Sequence, residues 1–408
     1  MKEKPELARR INMPLLTLYG LGTILGAGIY VLIGKVAGLA GALAPLAFFL
    51  AAVIAGFTAL SYSQLVVLYP KSAGEVVYIQ HGFNKKWLSM LMGVLIISMG
   101  TVSSATLSNG FVGYIQVFVD IPAWAAITGL LLGFAALAMW GINESMWAAA
   151  LMTAAEIVGL LIVVWVRGDV LLTTADNVST LFVPDSWLEV TGIVAGAFLA
   201  FYAFIGFEDM VNVAEEVKAP AKTMPRAILV TFVVSTLLYL LIALIAVQAL
   251  TIDELAQSDA PLTLLIETSE KSQGKTLSFM VAGISLLAII NGVLVQIIMA
   301  SRVLYGMAAQ GQAPAYFARV NPRTATPIAA TGLIVLLVLV ASLWLPLVTL
   351  AKMTSFVVLI IFSLVNIALW KIERKEKIPV ELQSPHYPRI GALLCLALLA
   401  FQIIAIFK

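Results

Sequence analysis

Eleven long apolar runs constrain this chain more than any other feature. They lie at about 13–38, 43–69, 87–118, 121–140, 144–166, 190–214, 226–250, 276–308, 327–344, 347–370 and 390–407. A run of about 18 or more apolar residues is long enough to cross the hydrocarbon core of a bilayer as a helix. Backbone groups in lipid have no water to bond, so each run must pair its amides internally, which means helix rather than lone strand. The ten-residue alternating segments of a membrane β-barrel are absent. Composition agrees, with 61% of residues hydrophobic and 11% charged. An ordinary soluble domain has about 45–50% and about 25%. The expectation is an all-α membrane protein with the lipid bilayer as its main partner. No linker or low-complexity segment divides it, so residues 1–408 read as one membrane domain.

Charge and cysteine content exclude several classes. The net charge of +2 offers no basic excess for nucleic acid. The single cysteine, Cys395, sits in an apolar run. It rules out an internal disulfide and leaves no outer-loop thiol for a covalently linked partner subunit. His81 and His386 fall in predicted loops far apart in sequence, so neither a metal nor a cofactor is expected. The apolar run after the polar segment Met1–Asn12 is too long for a signal peptide and reads as a retained first helix. Neither end carries a lipidation motif. With the N-terminus placed in the cytoplasm, 18 of the 24 lysines and arginines fall on the inner side. That bias supports the placement and puts the end of an eleventh span outside. The outer loop near 251–275 is acid-rich, with Asp253, Glu254, Asp259, Glu267 and Glu270, and reads as solvated chain.

Two spans are interrupted in sequence. The first reads Gly20-Leu21-Gly22-Thr23-Ile24-Leu25-Gly26-Ala27-Gly28-Ile29-Tyr30, followed by Gly34 and Gly38. Small residues at such spacing serve as packing faces between membrane helices. The sharper reading is a break at Gly26-Ala27-Gly28, where glycine tolerates non-helical backbone. A half-helix starting there points its positive end at mid-membrane, where it binds a carboxylate well. The sixth span has a matching segment, Ala200-Phe201-Tyr202-Ala203-Phe204-Ile205-Gly206-Phe207-Glu208-Asp209. Carbonyls freed there accept hydrogen bonds from an ammonium group. Two interrupted helices in corresponding places point to a transporter site between inverted repeats. The repeats would be 13–167 and 190–370, with 390–407 outside them.

These residues resemble the amino acid–polyamine–organocation superfamily. Gly26-Ala27-Gly28-Ile29-Tyr30 is similar to its first-helix motif G-[SA]-G-I-F, with tyrosine for the usual phenylalanine. Phe201–Glu208 is similar to its sixth-helix motif. Glu215-Glu216-Val217-Lys218-Ala219-Pro220 with Pro225-Arg226-Ala227-Ile228 resembles the following inner loop. Ser301–Ala308 with Gly311 and Pro314 resembles the end of its eighth helix, and Val102–Thr106 with Gly110 and Tyr114 its third. The matches are in order and cover nearly the whole chain. The resemblance implies a leucine-transporter-type fold that moves an amino acid or amine by alternating access. The family's usual twelve helices would be reduced here to eleven. It places the substrate carboxylate on the backbone of Ala27, Gly28 and Ile29, and the ammonium on the backbone around Phe201, Tyr202 and Ile205. Tyr202 matches an aromatic that closes over substrate, and also reads as ordinary packing.

The remaining candidates are polar groups at depth. An ionisable side chain inside a span is a functional hypothesis by default. Glu156 lies mid-helix, where some family members carry a lysine thought to replace sodium. It reads as a proton carrier or as a hydrogen-bonded brace between helices. Glu208 reads as a cap for the second half-helix or as part of a proton relay. Sodium is disfavoured, because Leu286–Gly292 offers no hydroxyl pair as hard oxygen ligands. Ser103, Ser104 and Asn291 are the candidates for the substrate side-chain pocket, which carries no clear acid and so suits small neutral substrates. The expected function is secondary active amino acid transport coupled to protons. The alternative is an amino acid or amine exchanger without ion coupling. A channel, a receptor or an intramembrane enzyme would need a polar pore, a ligand domain or a catalytic cluster, and none is legible. The short loops suit a prokaryotic inner (plasma) membrane.

Overall fold

Apolar residues on every face, with no water to compete for the backbone, drive almost the whole chain into helix. The computed structural model describes residues 9–26, 28–71, 74–140, 146–173, 183–269, 275–321, 326–375 and 386–407. In chain order its helices are α1 (Met13–Leu25), α2 (Gly28–Ala40), α3 (Ala44–Leu68), α4 (Gly74–Phe83), α5 (Lys86–Ile115), α6 (Ala123–Trp140), α7 (Met146–Arg167) and α8 (Val170–Thr173). They continue as α9 (Trp187–Ala200), α10 (Pro220–Ala249), α11 (Ile252–Gln257), α12 (Pro261–Glu267), α13 (Thr276–Ala309), α14 (Ile328–Trp344), α15 (Leu347–Lys375) and α16 (Tyr387–Ile406). Among the described residues, eight helical stretches are long and apolar enough to cross a membrane. Two shorter apolar helices, Ala123–Leu137 and Ile328–Trp344, accompany them. The molecule is a multi-span membrane helical bundle.

The core is built by long-range helix pairs. α5 packs along α13, α3 along α10, α15 against α5 and α16, and α2 against α9. Aromatic side chains fill the middle. Phe207 meets Tyr62, Phe362 and Phe232 with ring centroids 5.6, 5.3 and 5.9 Å apart. Such edge-to-face and tilted contacts add to the burial itself. Large apolar side chains such as Leu151, Trp165, Leu237 and Leu393 remain exposed on the outer surface, as a lipid-facing surface requires.

One loop differs from the sequence reading. The acid-rich loop after α10 is not simply solvated chain. It forms α11 and α12, and buries Leu255, Leu262, Leu265 and Ile266. Thr251 and Glu254 make a reciprocal capping box that starts α11, and such caps stabilise even short helices. Lys35 Nζ of α2 donates to the carbonyls of Ala256 (2.8 Å) and Ser258 (3.2 Å) and pairs with Asp259 at 3.3 Å. At the opposite end, Ile11 pairs with Val217 as an isolated parallel bridge. The Glu216 carbonyl accepts from Arg10 N–H at 2.9 Å, and Ile11 accepts from Lys218 N–H at 2.9 Å. The segment before α1 is thereby stitched to the chain entering α10.

Candidate functional site

α1 stops at Leu25 and α2 starts at Gly28. Ala27 lies outside the described residues. The second interruption is longer. α9 ends at Ala200, a 3-10 turn covers Phe201–Phe204, Ile205 is extended, and Gly206 has φ +134°. A 3-10 segment then runs from Phe207 to Glu216. The sequence suggested a second α-helical half there, and the tighter 3-10 winding is the observed form.

Interrupting a helix frees backbone groups that must find other partners. Here each interruption satisfies the other. Thr23 Oγ1 donates to the Gly206 carbonyl at 2.9 Å and to the Gly20 carbonyl at 2.8 Å. Glu208 Oε2 accepts from the Gly206 N–H at 2.8 Å, a local side-chain cap on its own segment. Tyr239 Oη donates to the Ile24 carbonyl at 2.6 Å. The approach is close. A Cβ added at Gly28 would stand 2.2 Å from Ala203 Cα. One added at Gly206 would stand 2.5 Å from the carbonyl carbon and oxygen of Thr23. Only glycine fits at either position.

The two interruptions enclose a cavity of about 30 Å³, lined by Thr23, Ile24, Gly26, Gly28, Ser103, Leu107, Tyr202, Ile205, Gly292 and Gln296. That is room for about one water molecule. Five sequence candidates meet here: Gly26, Gly28, Ser103, Tyr202 and Ile205. Tyr202 Oη and Ser103 Oγ share a hydrogen bond of 3.0 Å, which holds the ring across the cavity. Ile29 is buried in α2 away from the lining, and Phe201 packs on Phe362 at 5.7 Å. Ser104 is buried off the cavity, and its Oγ has no hydrogen-bond partner among the described residues. Asn291 is also off the cavity. One residue along a helix turns the side chain by about 100°. Gly292 and Gln296, four apart, therefore share the cavity face that Asn291 leaves. Sequence reading missed Gln296, although it is a polar residue within the apolar stretch of α13.

The buried acids form two groups. Glu156 of α7 is fully buried, and neither carboxylate oxygen has a hydrogen-bond partner among the described residues. The Asn291 carboxamide comes up to it without completing a bond to either oxygen. The Glu156 backbone carbonyl accepts from Tyr30 Oη of α2 at 2.8 Å, and Tyr114 Oη donates to the Tyr30 carbonyl at 2.6 Å. Glu156 is thus coupled through Tyr30 to the half-helix that starts at the cavity. The second group is Glu208, Asp209 and Glu75, none with a cationic partner among the described residues. Asp209 Oδ2 accepts from Gln296 Nε2 at 3.3 Å, and Tyr62 Oη donates to Glu75 Oε1 at 3.4 Å. On α4, outside the long apolar helices, burial pushes the Glu75 carboxyl up to about 8, and the nearby Asp209 adds to the rise.

A larger cavity of about 410 Å³ lies beyond Gln296. Glu75, Asp209, Glu216 and Arg302 line it together with Ile96, Met99, Met299 and Met307. The Gln296–Asp209 hydrogen bond links the two cavities, because Gln296 lines the smaller and Asp209 the larger. No group of three or more potential metal ligands occurs among the described residues.

Comparison with known proteins adds a lineage. A family profile described as amino acid permease matches residues 11–408. The branched-chain amino acid permease BcaP of Bacillus subtilis is 27% identical over 95% of this chain and 86% of its own. Cationic amino acid transporter 3, mitochondrial, of Arabidopsis thaliana is 26% identical over 89% of this chain, which spans 62% of that protein. The methylthioribose transporter of Bacillus subtilis is 26% identical over 94% of this chain and 85% of its own.

Proposed function

Since the chain belongs to the amino acid permease family, we propose that it is a secondary active transporter that carries an amino acid by alternating access, in symport with protons. The observation that carries this reading is the meeting of two helix interruptions around one cavity, with the start of α2 on one side and the 3-10 turn Phe201–Phe204 on the other. The positive end of α2 takes the substrate carboxylate through the backbone of Ala27, Gly28 and Ile29. Carbonyls around Phe201, Tyr202 and Ile205 take the ammonium, and Tyr202 closes over it. Helices α1–α7 and α9–α15 form two repeats, 13–167 and 190–370, of opposite orientation, and α16 stands outside them. The N-terminus lies in the cytoplasm, as the lysine and arginine bias suggests, and the membrane is a prokaryotic plasma membrane, as the short loops suggest.

The lining favours a neutral side chain. Ile24, Leu107 and Ile205 are apolar, and no carboxylate of a described residue lines the small cavity. The branched-chain substrate in the name of one relative fits this lining. The cavity is smaller than any amino acid, so entry requires its walls to part, and the Gln296–Asp209 contact stands between it and the larger cavity. Glu156 is the proton carrier. Its carboxylate is buried without a hydrogen-bond partner among the described residues, yet its backbone is linked by Tyr30 to α2. Glu208 braces the 3-10 segment.

The test is uptake of labelled amino acids into proteoliposomes with and without an inward proton gradient. Gradient-driven accumulation of neutral amino acids is expected. Uptake only into vesicles preloaded with amino acid would instead establish an uncoupled exchanger and leave Glu156 a structural group.

A further inference from the structure

The end of the bundle that carries the larger cavity also holds concentrated positive charge that no carboxylate of a described residue pairs with. α15 finishes as Trp370-Lys371-Ile372-Glu373-Arg374-Lys375, and α16 begins as Tyr387-Pro388-Arg389. The guanidinium carbon of Arg374 lies 4.7 Å from the Trp370 ring centroid, and that of Arg389 lies 5.4 Å from the same centroid. Two guanidiniums therefore share one indole. No carboxylate of a described residue pairs with either. The indole N–H, a donor only, is buried and has no acceptor among the described residues. Glu373, the acid in this stretch, is turned to α3, where its Oε1 accepts from Gln64 Nε2 at 3.0 Å. Tyr387 Oη donates to Gln64 Oε1, and this relay fixes the start of α16 and hence the place of Arg389. Lys371 lies over the Phe83 ring at 4.0 Å.

Among the described residues this arrangement leaves three features uncompensated: two cations on one indole, a buried indole donor without an acceptor, and the positive end of a 20-residue helix. An anion with several acceptor oxygens would offset this charge. Guanidinium forks match phosphate oxygens bidentately. Basic pockets between membrane helices suit anionic headgroups. The adjoining face of α16 suits acyl chains, because Leu393, one turn beyond Arg389, is 67% exposed and Leu396 46%.

We propose that Trp370, Arg374 and Arg389 form a binding site for the phosphate of an anionic lipid headgroup, whose acyl chains lie along α16. The site is separate from the transport cavity, and it stands or falls independently of what is transported.

The test uses the full chain, delipidated in neutral detergent, with lipid retention read by native mass spectrometry. Phosphatidylglycerol should be retained about tenfold or more over phosphatidylcholine, and millimolar inorganic phosphate should not displace it. Arg374→Gln with Arg389→Gln should bring phosphatidylglycerol down to the phosphatidylcholine level. Trp370→Phe, which keeps the ring and removes the N–H, should lower retention several-fold. Arg319→Gln, which removes a lone arginine over Tyr316, should change nothing. In the wild-type protein, phosphatidylglycerol should also shield Arg374 and Arg389 from an arginine-specific reagent, a readout that needs no variant to fold. Equal retention of the two lipids, unchanged retention in the double variant, or no shielding would overturn the proposal. Full displacement by inorganic phosphate would make this a soluble-phosphate site and overturn the lipid assignment.

Discussion

Replacing Gly206 by alanine tests the junction at its tightest point. The residue sits at φ +134°, a region that costs a side-chain-bearing residue about 1–3 kcal/mol. Its new Cβ would stand 2.5 Å from the Thr23 carbonyl carbon and oxygen and 2.8 Å from the Ile24 nitrogen. All three are backbone atoms, so no rotamer change relieves the overlap. Overpacking of this kind costs about another 1–3 kcal/mol. The sum, about 2–6 kcal/mol, is a large fraction of a domain's stability. Shifting the backbone to relieve it would break the Thr23–Gly206 and Gly206–Glu208 hydrogen bonds, and these hold both interruptions at the cavity. Gly206→Ala is therefore expected to melt several degrees below wild type in detergent at fixed scan rate, and to lose at least tenfold in uptake. Gly332→Ala on α14, whose Cβ would meet nothing within 4 Å, should melt at or slightly above wild type. A Gly206→Ala protein that melts and transports like wild type would refute the argument that the close approach of the two interruptions builds the site.

Three further outcomes follow. Glu156→Gln keeps the shape of the buried side chain and removes its titration, so gradient-driven accumulation should vanish while exchange in preloaded vesicles persists; equal gradient dependence would remove the proton role. The Glu75 carboxyl titrates near 8 against an ordinary value of 4.5. Between those values the folded protein holds a proton that the unfolded chain has lost, so this residue's contribution makes stability fall as pH rises from about 4.5 to 8, by on the order of 1.4 kcal/mol per unit at most. Melting from pH 5 to 8 should slope less in Glu75→Gln, and an unchanged slope would contradict the assignment. Lys35→Met removes the donor to two carbonyls at the end of α11 and should speed amide exchange across 252–267. Asp259→Asn should cost less than about 1 kcal/mol, because its carboxylate is exposed; equal effects of the two variants would show that the ion pair, not the carbonyl contacts, holds α11.

The sequence marks where helices run and where two of them stop. Long apolar runs read directly as helix, and Gly26, Gly28 and Gly206 stand at places where side chains do not fit. What it hides is facing. A helix that is apolar all round has no polar side from which to infer its neighbours. This is why Ser104 looks as eligible for the cavity as Ser103, and why Asn291 is singled out while Gly292 and Gln296, which line it, are not. The neighbours of Ser104 and Asn291 along the chain take the cavity face instead, by a rotation that periodicity does not register. The pairing of Asp209 with Gln296, and the approach of Glu75 from α4, join residues far apart in sequence and leave no local trace. The helices α11 and α12 went unread because their acids masked four buried apolar residues, although Thr251 and Glu254 spell a capping box.

The central claim is that the joined interruptions hold an amino acid by its carboxylate and its ammonium together. The most direct measurement is counterflow of a labelled neutral amino acid in proteoliposomes, challenged with three unlabelled competitors of the same side chain: the amino acid, the amine lacking the carboxylate, and the acid lacking the amine. The account predicts displacement by the amino acid alone, with both truncated compounds weaker by a hundredfold or more, since each leaves about 3 kcal/mol of charge-assisted contact unmade. Equal competition by either truncated compound, or no counterflow of any amino acid tested, would contradict it.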